Sequence, residues 1–161
     1  MPNAVALFQP GVADWEYGVV LPLLRSTFGF HIHVATPDGR GVESIGGVRV
    51  DGDISFDTAN YQGTDLLLLI GSDVWAASAD PILSRRLQAR AAQNRPIAAI
   101  CGATLALAHA GLLNDRAHTS NSLDFVKGAS EYAGEAHFRE DRKSTRLNSS
   151  HTDISRMPSS A

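Results

Sequence analysis

The chain has 161 residues, a formal net charge of −3 and a single cysteine. This length corresponds to about one domain, and 43% hydrophobic with 19% charged residues is typical of a globular protein. The longest apolar run, residues 66–70, is far shorter than the ~20 residues of a transmembrane helix, so we expect no membrane segment. No signal-peptide pattern follows Met1, so we expect a cytoplasmic location. One thiol excludes an internal disulfide.

The last 21 residues differ from the rest of the chain. Six of them are serine, and neither helical nor strand periodicity is visible. The segments DRKSTRLNSSH (141–151) and SRMPSSA (155–161) resemble, in order and in one frame, a translated Illumina-type sequencing adapter. We therefore interpret 141–161 as a non-native, disordered tail without functional residues, and 1–140 as the genuine domain, incomplete at its C-terminus. In 1–140, ten basic and fifteen acidic residues leave a net charge of −5, which disfavours a nucleic-acid partner.

The first elements predicted along 1–140 are a buried strand and a helix. Residues 4–8 form a short apolar run that ends at a Gln-Pro-Gly turn. Apolar side chains then recur at helical spacing over 15–24, with Asp14 as a candidate N-cap. Pro22 lies inside this segment, where a proline kinks a helix or marks an irregular start.

A second strand and a hairpin are predicted next. Residues 30–35 alternate apolar side chains with His31 and His33, which is a strand pattern. The two histidines share one face and could bind a metal, but no third ligand is near in sequence, so we predict no metal site. Short apolar segments on both sides of 45–47 (Ile-Gly-Gly) predict the hairpin.

Two further strands and two helices complete the pattern. Residues 65–70 and 97–100 are continuous apolar strands, each followed by a helical segment, at 80–91 and 102–109. Strands buried on both faces that alternate with helices indicate an α/β domain with a parallel sheet. Ligands in such folds bind beyond the carboxyl ends of the strands, so the residues that follow each strand deserve closest inspection.

The only cysteine lies where the strand at 97–100 meets the next helix. Gly102 and Ala103 follow Cys101 and are small enough for a sharp turn, as in a nucleophile elbow. Helix-terminal N–H groups and the helix dipole favour a thiolate there. Free cysteines are also among the most buried residues, so for this segment alone an inert core thiol is an equally weighted alternative.

Two other strand ends supply candidate partners for Cys101. Glu16 follows the first strand's loop, and a carboxyl group beside a thiolate can donate a hydrogen bond or transfer a proton; an exposed helical glutamate is the alternative. Gly71 and Ser72 follow the third strand, where N–H groups can form an oxyanion hole; a plain turn is the alternative. We predict Cys101 and Glu16 as catalytic residues, the backbone at Gly71 and Gly102 as oxyanion donors, and Ser72 as a pocket residue.

These segments resemble the ThiJ/PfpI family of the class I glutamine-amidotransferase-like superfamily. VALFQPGVADWE (5–16), LLLLIGS (66–72) and AAICGATL (98–105) lie in the family's order, and the type 1 glutamine-amidotransferase-like subgroup looks most similar. The resemblance implies a flavodoxin-like three-layer α/β sandwich with a mostly parallel sheet, truncated here at its C-terminus. It also implies that Cys101 is the nucleophile, that Glu16 is the family's glutamate, and that the full-length natural protein is a homodimer.

Departures from the family narrow the expected activity. Protease members carry histidine directly after the cysteine, where this chain has Gly102, so a peptidase is disfavoured. Deglycase-like members carry a histidine twenty residues after the cysteine, where this chain has Asn121, and His118 lies three residues earlier. We therefore predict a Cys–Glu site, with Asn121 and His118 as candidate pocket residues. The His-x-Glu pair of the glutaminase branch does not occur in 1–140, which disfavours a true glutaminase.

Two tryptophans flank predicted strand ends. Trp15 and Trp75 could line a small-molecule pocket, although core packing is the favoured interpretation. Trp15 is kept as a candidate pocket residue. His109, eight residues after Cys101, is interpreted as a helix-end residue.

Together these features predict a cysteine-dependent enzyme of small-molecule chemistry, a hydrolase or a glyoxalase- or deglycase-like lyase. Cys101 would attack a reactive carbonyl or amide, assisted by Glu16, without a metal or organic cofactor. The alternative is a redox-responsive stress protein, in which Cys101 is oxidised to a sulfinic acid without turnover. A sensor domain of a transcription regulator is less favoured, because no helix-turn-helix follows.

Overall fold

The protein is described from a computed structural model that covers residues 1–77 and 79–140. The segment 141–161 lies outside the described residues, so its interpretation as an adapter-derived tail stays a prediction. No helix in the described part of the chain is long and apolar enough to cross a membrane.

Five parallel strands form the central sheet, in the order β5-β2-β1-β6-β7. The central strand β1 pairs with β2, where Asn3 lies opposite His31, and with β6, where Ala4 lies opposite Leu66. The prediction of a parallel α/β sheet is therefore confirmed. The strands are β1 (Asn3–Leu7), β2 (His31–Thr36), β5 (Ile54–Ser55), β6 (Leu66–Leu69) and β7 (Ile97–Ala99), with β3 (Val42–Glu43) and β4 (Arg49–Val50) as a separate antiparallel pair.

Helices cover both faces of the sheet and give three layers. One face packs against the first helix, which contributes Tyr17 and Leu24. The other packs against the remaining helices, which contribute the fully buried Leu87, Leu107 and Val126. The helices are α1 (Asp14–Ser26), α2 (Pro81–Ala92), α3 (Thr104–His109) and α4 (Leu123–Val126), and 3-10 turns span Asp73–Ala76, Cys101–Ala103 and Glu135–His137.

Asp14 docks the hairpin instead of capping the first helix. The N-cap position is Ala13, which makes no side-chain cap. The Asp14 carboxylate accepts hydrogen bonds from Ser44 Oγ (2.5 Å), Gly46 N (2.7 Å) and Tyr17 Oη (2.9 Å). The predicted N-cap is thus wrong, because the hairpin offers this carboxylate better donors. The helix continues through Pro22 to Ser26.

The chain changes direction across the sheet at its centre. From β1 it runs outward to β2 and β5 on one side, then returns to β6 and β7 on the other. Such a point leaves a crevice at the carboxyl edge, where the loops after neighbouring strands diverge. The segments after β1, β6 and β7 meet there, and they carry Glu16 at the start of α1, Gly71 and Cys101.

Candidate active site

Cys101 follows β7 in a backbone conformation that few non-glycine residues adopt. Its φ is +52°, in the left-handed region, and the chain enters a 3-10 turn at once. Such strain costs on the order of 1–2 kcal/mol and persists where surrounding structure imposes it, commonly at functional sites. The thiol is free and solvent-exposed. The inert, buried cysteine that was the alternative interpretation is therefore not what this structure contains.

Glu16 lies in the first turn of α1 and points into the sheet edge rather than into solvent. It is only 8% exposed. Its Oε2 accepts a 2.6 Å hydrogen bond from the N–H of Gly71, and the carboxyl group lies close enough to the Cys101 side chain for the two to interact. Burial raises the pKa of Glu16, while the bonds from Gly71 and Cys101 oppose that rise. No cation is among the groups that shift it. A buried carboxyl group therefore lies beside the exposed Cys101.

Two glycines make this contact possible. A Cβ on Gly71 would lie 2.6 Å from Glu16 Oε1 and 2.7 Å from Oε2. A Cβ on Gly102 would lie 2.7 Å from the carbonyl oxygen of Ser72. Both distances are shorter than real Cβ atoms show. A side chain at 102 would clash with the main chain, whereas one at 71 would displace the Glu16 carboxyl group. The histidine found in protease members at the position of Gly102 has no room here.

Ser72 connects two of the loops that build the site. Its Oγ donates to the carbonyl of Pro10 at 2.6 Å and accepts from Val74 N at 3.2 Å. The N–H of Ala13 donates to Gly71 O at 2.9 Å and adds a second link. The Ser72 side chain is thus used within the protein, in tying the β1 loop to the β6 loop.

The backbone donors near Cys101 differ from the predicted pair. The N–H of Gly71 already donates to Glu16 Oε2, so it is not available to an oxyanion. Among the described residues, the N–H groups of Ser72 and Gly102 donate no hydrogen bond. The two N–H groups belong to residues whose backbones approach each other closely, at Gly102 and Ser72. The expected donor at Gly71 is therefore corrected to its neighbour Ser72, while Gly102 stays a candidate.

His118 is a core residue and not a pocket residue. It is 1% exposed, and its ring packs edge-on against Tyr132 and Phe138. Nδ1 lies 2.8 Å from the carbonyl of Arg116, which only accepts, so Nδ1 carries a hydrogen. Nε2 lies 2.8 Å from Tyr132 Oη. With both nitrogens engaged, the expectation that His118 lines the pocket is corrected.

The segment containing Asn121 does reach the elbow, but through a different side chain. Asn121 is exposed, and its neighbour Ser120 places Oγ 2.7 Å from Thr104 Oγ1. Thr104 Oγ1 also donates to the carbonyl of Cys101 at 2.7 Å. Sequence reasoning missed Thr104 and Ser120. A hydroxyl three residues after a strand-end cysteine was the only available sign of the first.

The two tryptophans have different surroundings. Trp15 is 64% exposed, on the outer side of α1. Trp75 is buried and donates from Nε1 to the Ile70 carbonyl at 2.8 Å. It also lines a cavity of ≈ 190 Å³, whose lining does not include Cys101 or Glu16. The cavity is therefore not formed around Cys101 and Glu16. The cavity's other lining residues include Gln9, Asp80, Leu83, Ala106 and His109.

Of the other histidines, His31 and His33 lie side by side, and His109 pairs with a glutamate. The rings of His31 and His33 lie 4.6 Å apart, and no group of three or more metal-ligating side chains occurs among the described residues. His109 pairs with Glu131, with Nδ1 2.8 Å from Oε2. Its place at the end of α3 agrees with its interpretation as a helix-end residue.

Comparison with known proteins identifies the family. The DJ-1/PfpI family model matches residues 3–150. The chain belongs to the DJ-1/PfpI family, so the resemblance noted in the sequence is confirmed. The match extends into 141–150, outside the described residues.

Two solved structures share the fold closely. A DJ-1 superfamily protein from Agrobacterium tumefaciens is 36% identical with a TM-score of 0.80, over 87% of this chain and 74% of that one. A thiJ/pfpI family protein from Bacillus anthracis is 30% identical with a TM-score of 0.78, over 92% and 74%. The flavodoxin-like α/β prediction is confirmed.

Two curated relatives are shorter matches. The uncharacterized proteases YoaZ and YdeA of Bacillus subtilis are 34% and 35% identical over 71% and 82% of this chain. The chain spans 58% and 66% of their respective lengths.

Proposed function

We propose that this domain is a cysteine-dependent enzyme acting on the reactive carbonyl of a small molecule, with Cys101 as nucleophile and Glu16 as proton carrier. The observation that carries the proposal is the placement of buried Glu16 beside the strained, exposed Cys101. A cysteine-based role is also consistent with the DJ-1/PfpI family. A small-molecule substrate and a homodimer of the full-length protein belong to the same proposal.

The proton balance of the pair defines the first step. Thiol and carboxylate hold one proton between them; when it lies on Glu16, Cys101 is a thiolate. The thiolate attacks the carbonyl carbon, an S–C bond forms, and the π pair moves to the carbonyl oxygen. Glu16 returns its proton to that oxygen and yields a neutral hemithioacetal from an aldehyde. Burial raises the pKa of Glu16, which favours the protonated carboxyl group relative to an exposed glutamate.

Backbone donors would stabilise the negative oxygen before it is protonated. The N–H groups of Ser72 and Gly102 have no partner among the described residues and are candidate donors, and fixed donors aimed at a developing charge need no reorganisation. No histidine is needed in this scheme. We therefore favour a hydrolase or glyoxalase- or deglycase-like lyase over a peptidase, although two relatives carry protease names.

Turnover of methylglyoxal tests the proposal. Wild-type protein should consume the aldehyde, whereas Cys101→Ser and Glu16→Gln should each lose activity by at least about 10²-fold. Glu43→Gln, an exposed glutamate on β3, is the matched control and should retain wild-type activity. Activity that survives Cys101→Ser would refute the role of the thiol.

A redox-responsive protein is the second candidate, because Cys101 is free and exposed beside a carboxyl group that can hydrogen-bond a sulfinic acid. Peroxide treatment followed by mass spectrometry distinguishes the two. Addition of two oxygen atoms at Cys101 without any aldehyde turnover favours the sensor. Iodoacetamide labelling no faster than that of a free thiol at neutral pH would contradict both candidates, since both need an activated thiolate.

A further inference from the structure

A chain of two hydroxyl groups lies directly behind the peptide that links Cys101 to Gly102. Thr104, the first residue of α3, is 2% exposed, and its Oγ1 is 2.7 Å from the Cys101 carbonyl oxygen. The same Oγ1 is 2.7 Å from Ser120 Oγ, which comes from the segment before α4. These contacts join the elbow to a part of the chain 16 residues further on.

The direction of this chain follows from counting hydrogens. A carbonyl oxygen only accepts, so the single hydroxyl hydrogen of Thr104 is donated to Cys101 O. The hydroxyl of Ser120 must then be the donor to Thr104 Oγ1. The chain therefore runs from Ser120 through Thr104 to the Cys101 carbonyl, which also accepts from the backbone N–H of Thr104.

The same peptide plane contains the Gly102 N–H. In a trans peptide the carbonyl of one residue and the N–H of the next point in opposite directions within one rigid plane. Holding the Cys101 carbonyl therefore fixes the direction in which the Gly102 N–H points. Hydrogen bonds to the carbonyl also polarise the amide, and consecutive bonds strengthen one another.

We propose that Thr104 and Ser120 are positioning residues that orient and polarise the Gly102 N–H as an oxyanion donor. This inference rests on the proposed function, since it assigns a role to an oxyanion formed by attack of Cys101. Neither residue touches the reacting atoms. Their effect passes through the Cys101–Gly102 peptide, so it should appear only in reactions that build negative charge on a carbonyl oxygen.

Two reagents separate this role from general support of the fold. p-Nitrophenyl acetate acylates the thiolate: the S–C bond forms, the π pair moves to oxygen, and collapse expels p-nitrophenolate and leaves a thioester. Iodoacetamide alkylates the same sulfur at a saturated carbon, with iodide as leaving group and no oxyanion. A loosened elbow would slow both reactions, whereas a misaligned Gly102 N–H would slow only acylation.

The decisive variants remove or restore one hydroxyl. Thr104→Val should slow single-turnover acylation by about 10- to 100-fold and leave alkylation within about twofold. Thr104→Ser should restore most of the acylation rate. Ser120→Ala should slow acylation by about three- to tenfold, because the Thr104 bond to Cys101 survives. Ser26→Ala, whose hydroxyl binds the Pro22 carbonyl in α1, is the control and should change neither rate.

The outcomes distinguish the hydroxyl relay, which is the chain from Ser120 through Thr104 to the Cys101 carbonyl, from the proposed function on which it rests. Equal loss of acylation and alkylation, or unchanged acylation in both Thr104→Val and Ser120→Ala, would overturn the relay. If Thr104→Val does not fold, half-buried Ser120 provides the test, together with an upfield shift of the Gly102 amide proton in Ser120→Ala. Acylation that is independent of Cys101 and Glu16 would overturn the proposed function itself, and the relay with it.

Discussion

The two edges of the central sheet use polar groups in opposite ways. At the amino edge, before the strands begin, Arg90 is fully buried and Asp65 and Thr64 bind the first residue of β1. At the carboxyl edge, Glu16 is buried beside the exposed Cys101, and the N–H groups of Ser72 and Gly102 have no partner among the described residues. The amino edge satisfies the buried guanidinium of Arg90 with backbone carbonyls, whereas the carboxyl edge keeps N–H donors and a carboxyl group beside the thiol.

Arg90 shows how the amino edge satisfies a buried charged group. Its guanidinium donates to Pro96 O at 2.9 and 2.8 Å, to Tyr61 O at 2.6 Å and to Thr64 O at 3.0 Å. All three acceptors are backbone carbonyls, and burial lowers the pKa of Arg90 to about 10. The side chain thereby fastens the end of α2 to the start of β7 and to the loop before β6.

The carboxyl edge carries the opposite costs. A left-handed cysteine, a desolvated carboxyl group and unpaired N–H groups each destabilise the folded protein. They are tolerated because the sheet and its amino edge hold the strand ends in place. The comparison indicates that substitutions at the amino edge should reduce stability, whereas those at the carboxyl edge should reduce activity and can increase stability.

The largest expected effect is on activity, in Glu16→Gln. Turnover should fall by about 10²- to 10⁴-fold, because the amide cannot carry the proton. The pH dependence of stability in wild type and in Glu16→Gln tests the same carboxyl group. Burial raises the folded-state pKa of Glu16 above 4.5, so wild-type stability declines as pH rises through that pKa, whereas the amide has no such dependence.

Thermal melts at pH 4 and pH 7 test this sign. The melting temperature of Glu16→Gln relative to wild type should increase between the two values, and Glu43→Gln should show no such increase. A melting temperature of Glu16→Gln that falls relative to wild type between pH 4 and pH 7 would contradict the raised pKa.

Arg90→Met should cause the next largest change, this time in stability. Loss of the four hydrogen bonds leaves three carbonyls without this donor, and we expect a decrease of about 2–4 kcal/mol in the free energy of unfolding. Urea denaturation measures it. Exposed Arg85→Met on the same helix should change stability by less than about 0.5 kcal/mol. An Arg90→Met protein as stable as wild type would contradict the expected difference between the two edges of the sheet.

Gly71→Ala and Gly18→Ala compare a close approach with an open position. The new Cβ at 71 would displace the Glu16 carboxyl group, so activity should fall by about tenfold or more. Gly18, in α1, has nothing within 4 Å of the built Cβ, so alanine there should raise stability by about 0.5–1 kcal/mol with unchanged activity. Equal activity of the two variants would show that the close approach of Gly71 to Glu16 does not limit activity.

The smallest expected change concerns the backbone of Cys101 itself. Cys101→Gly and Cys101→Ala both remove the thiol, but only glycine adopts φ +52° without a Cβ penalty. The glycine variant should therefore be more stable by about 0.5–1 kcal/mol in urea denaturation. An alanine variant at least as stable as the glycine variant would show that this conformation stores no strain.

Much of the fold could be predicted because its determinants are local. The apolar runs at 4–8, 65–70 and 97–100 each fill one strand buried on both faces, and turn residues mark their ends. The same logic places Cys101, Glu16 and Gly71 at one edge, since parallel strands end together.

Features that depend on tertiary partners were not predictable. Asp14 resembles an N-cap until the hairpin brings Ser44 and Gly46 to it. His118 faces Tyr132 because 111–122 is largely irregular, and a strand-based estimate of its direction does not apply there. The contact between Thr104 and Ser120 joins distant segments through two ordinary hydroxyls, for which no sequence pattern exists.

The close approach of Gly102 to Ser72 also bears on how such a site could be transplanted. In the proposed site, Glu16 and Cys101 supply the reactive side chains, and the other groups are main chain, held by glycines and by hydroxyls behind it. A designer who copied the two side chains onto another parallel sheet would reproduce little of this arrangement. What would have to be transplanted is the pair of strand ends at this spacing, together with the glycines that allow it.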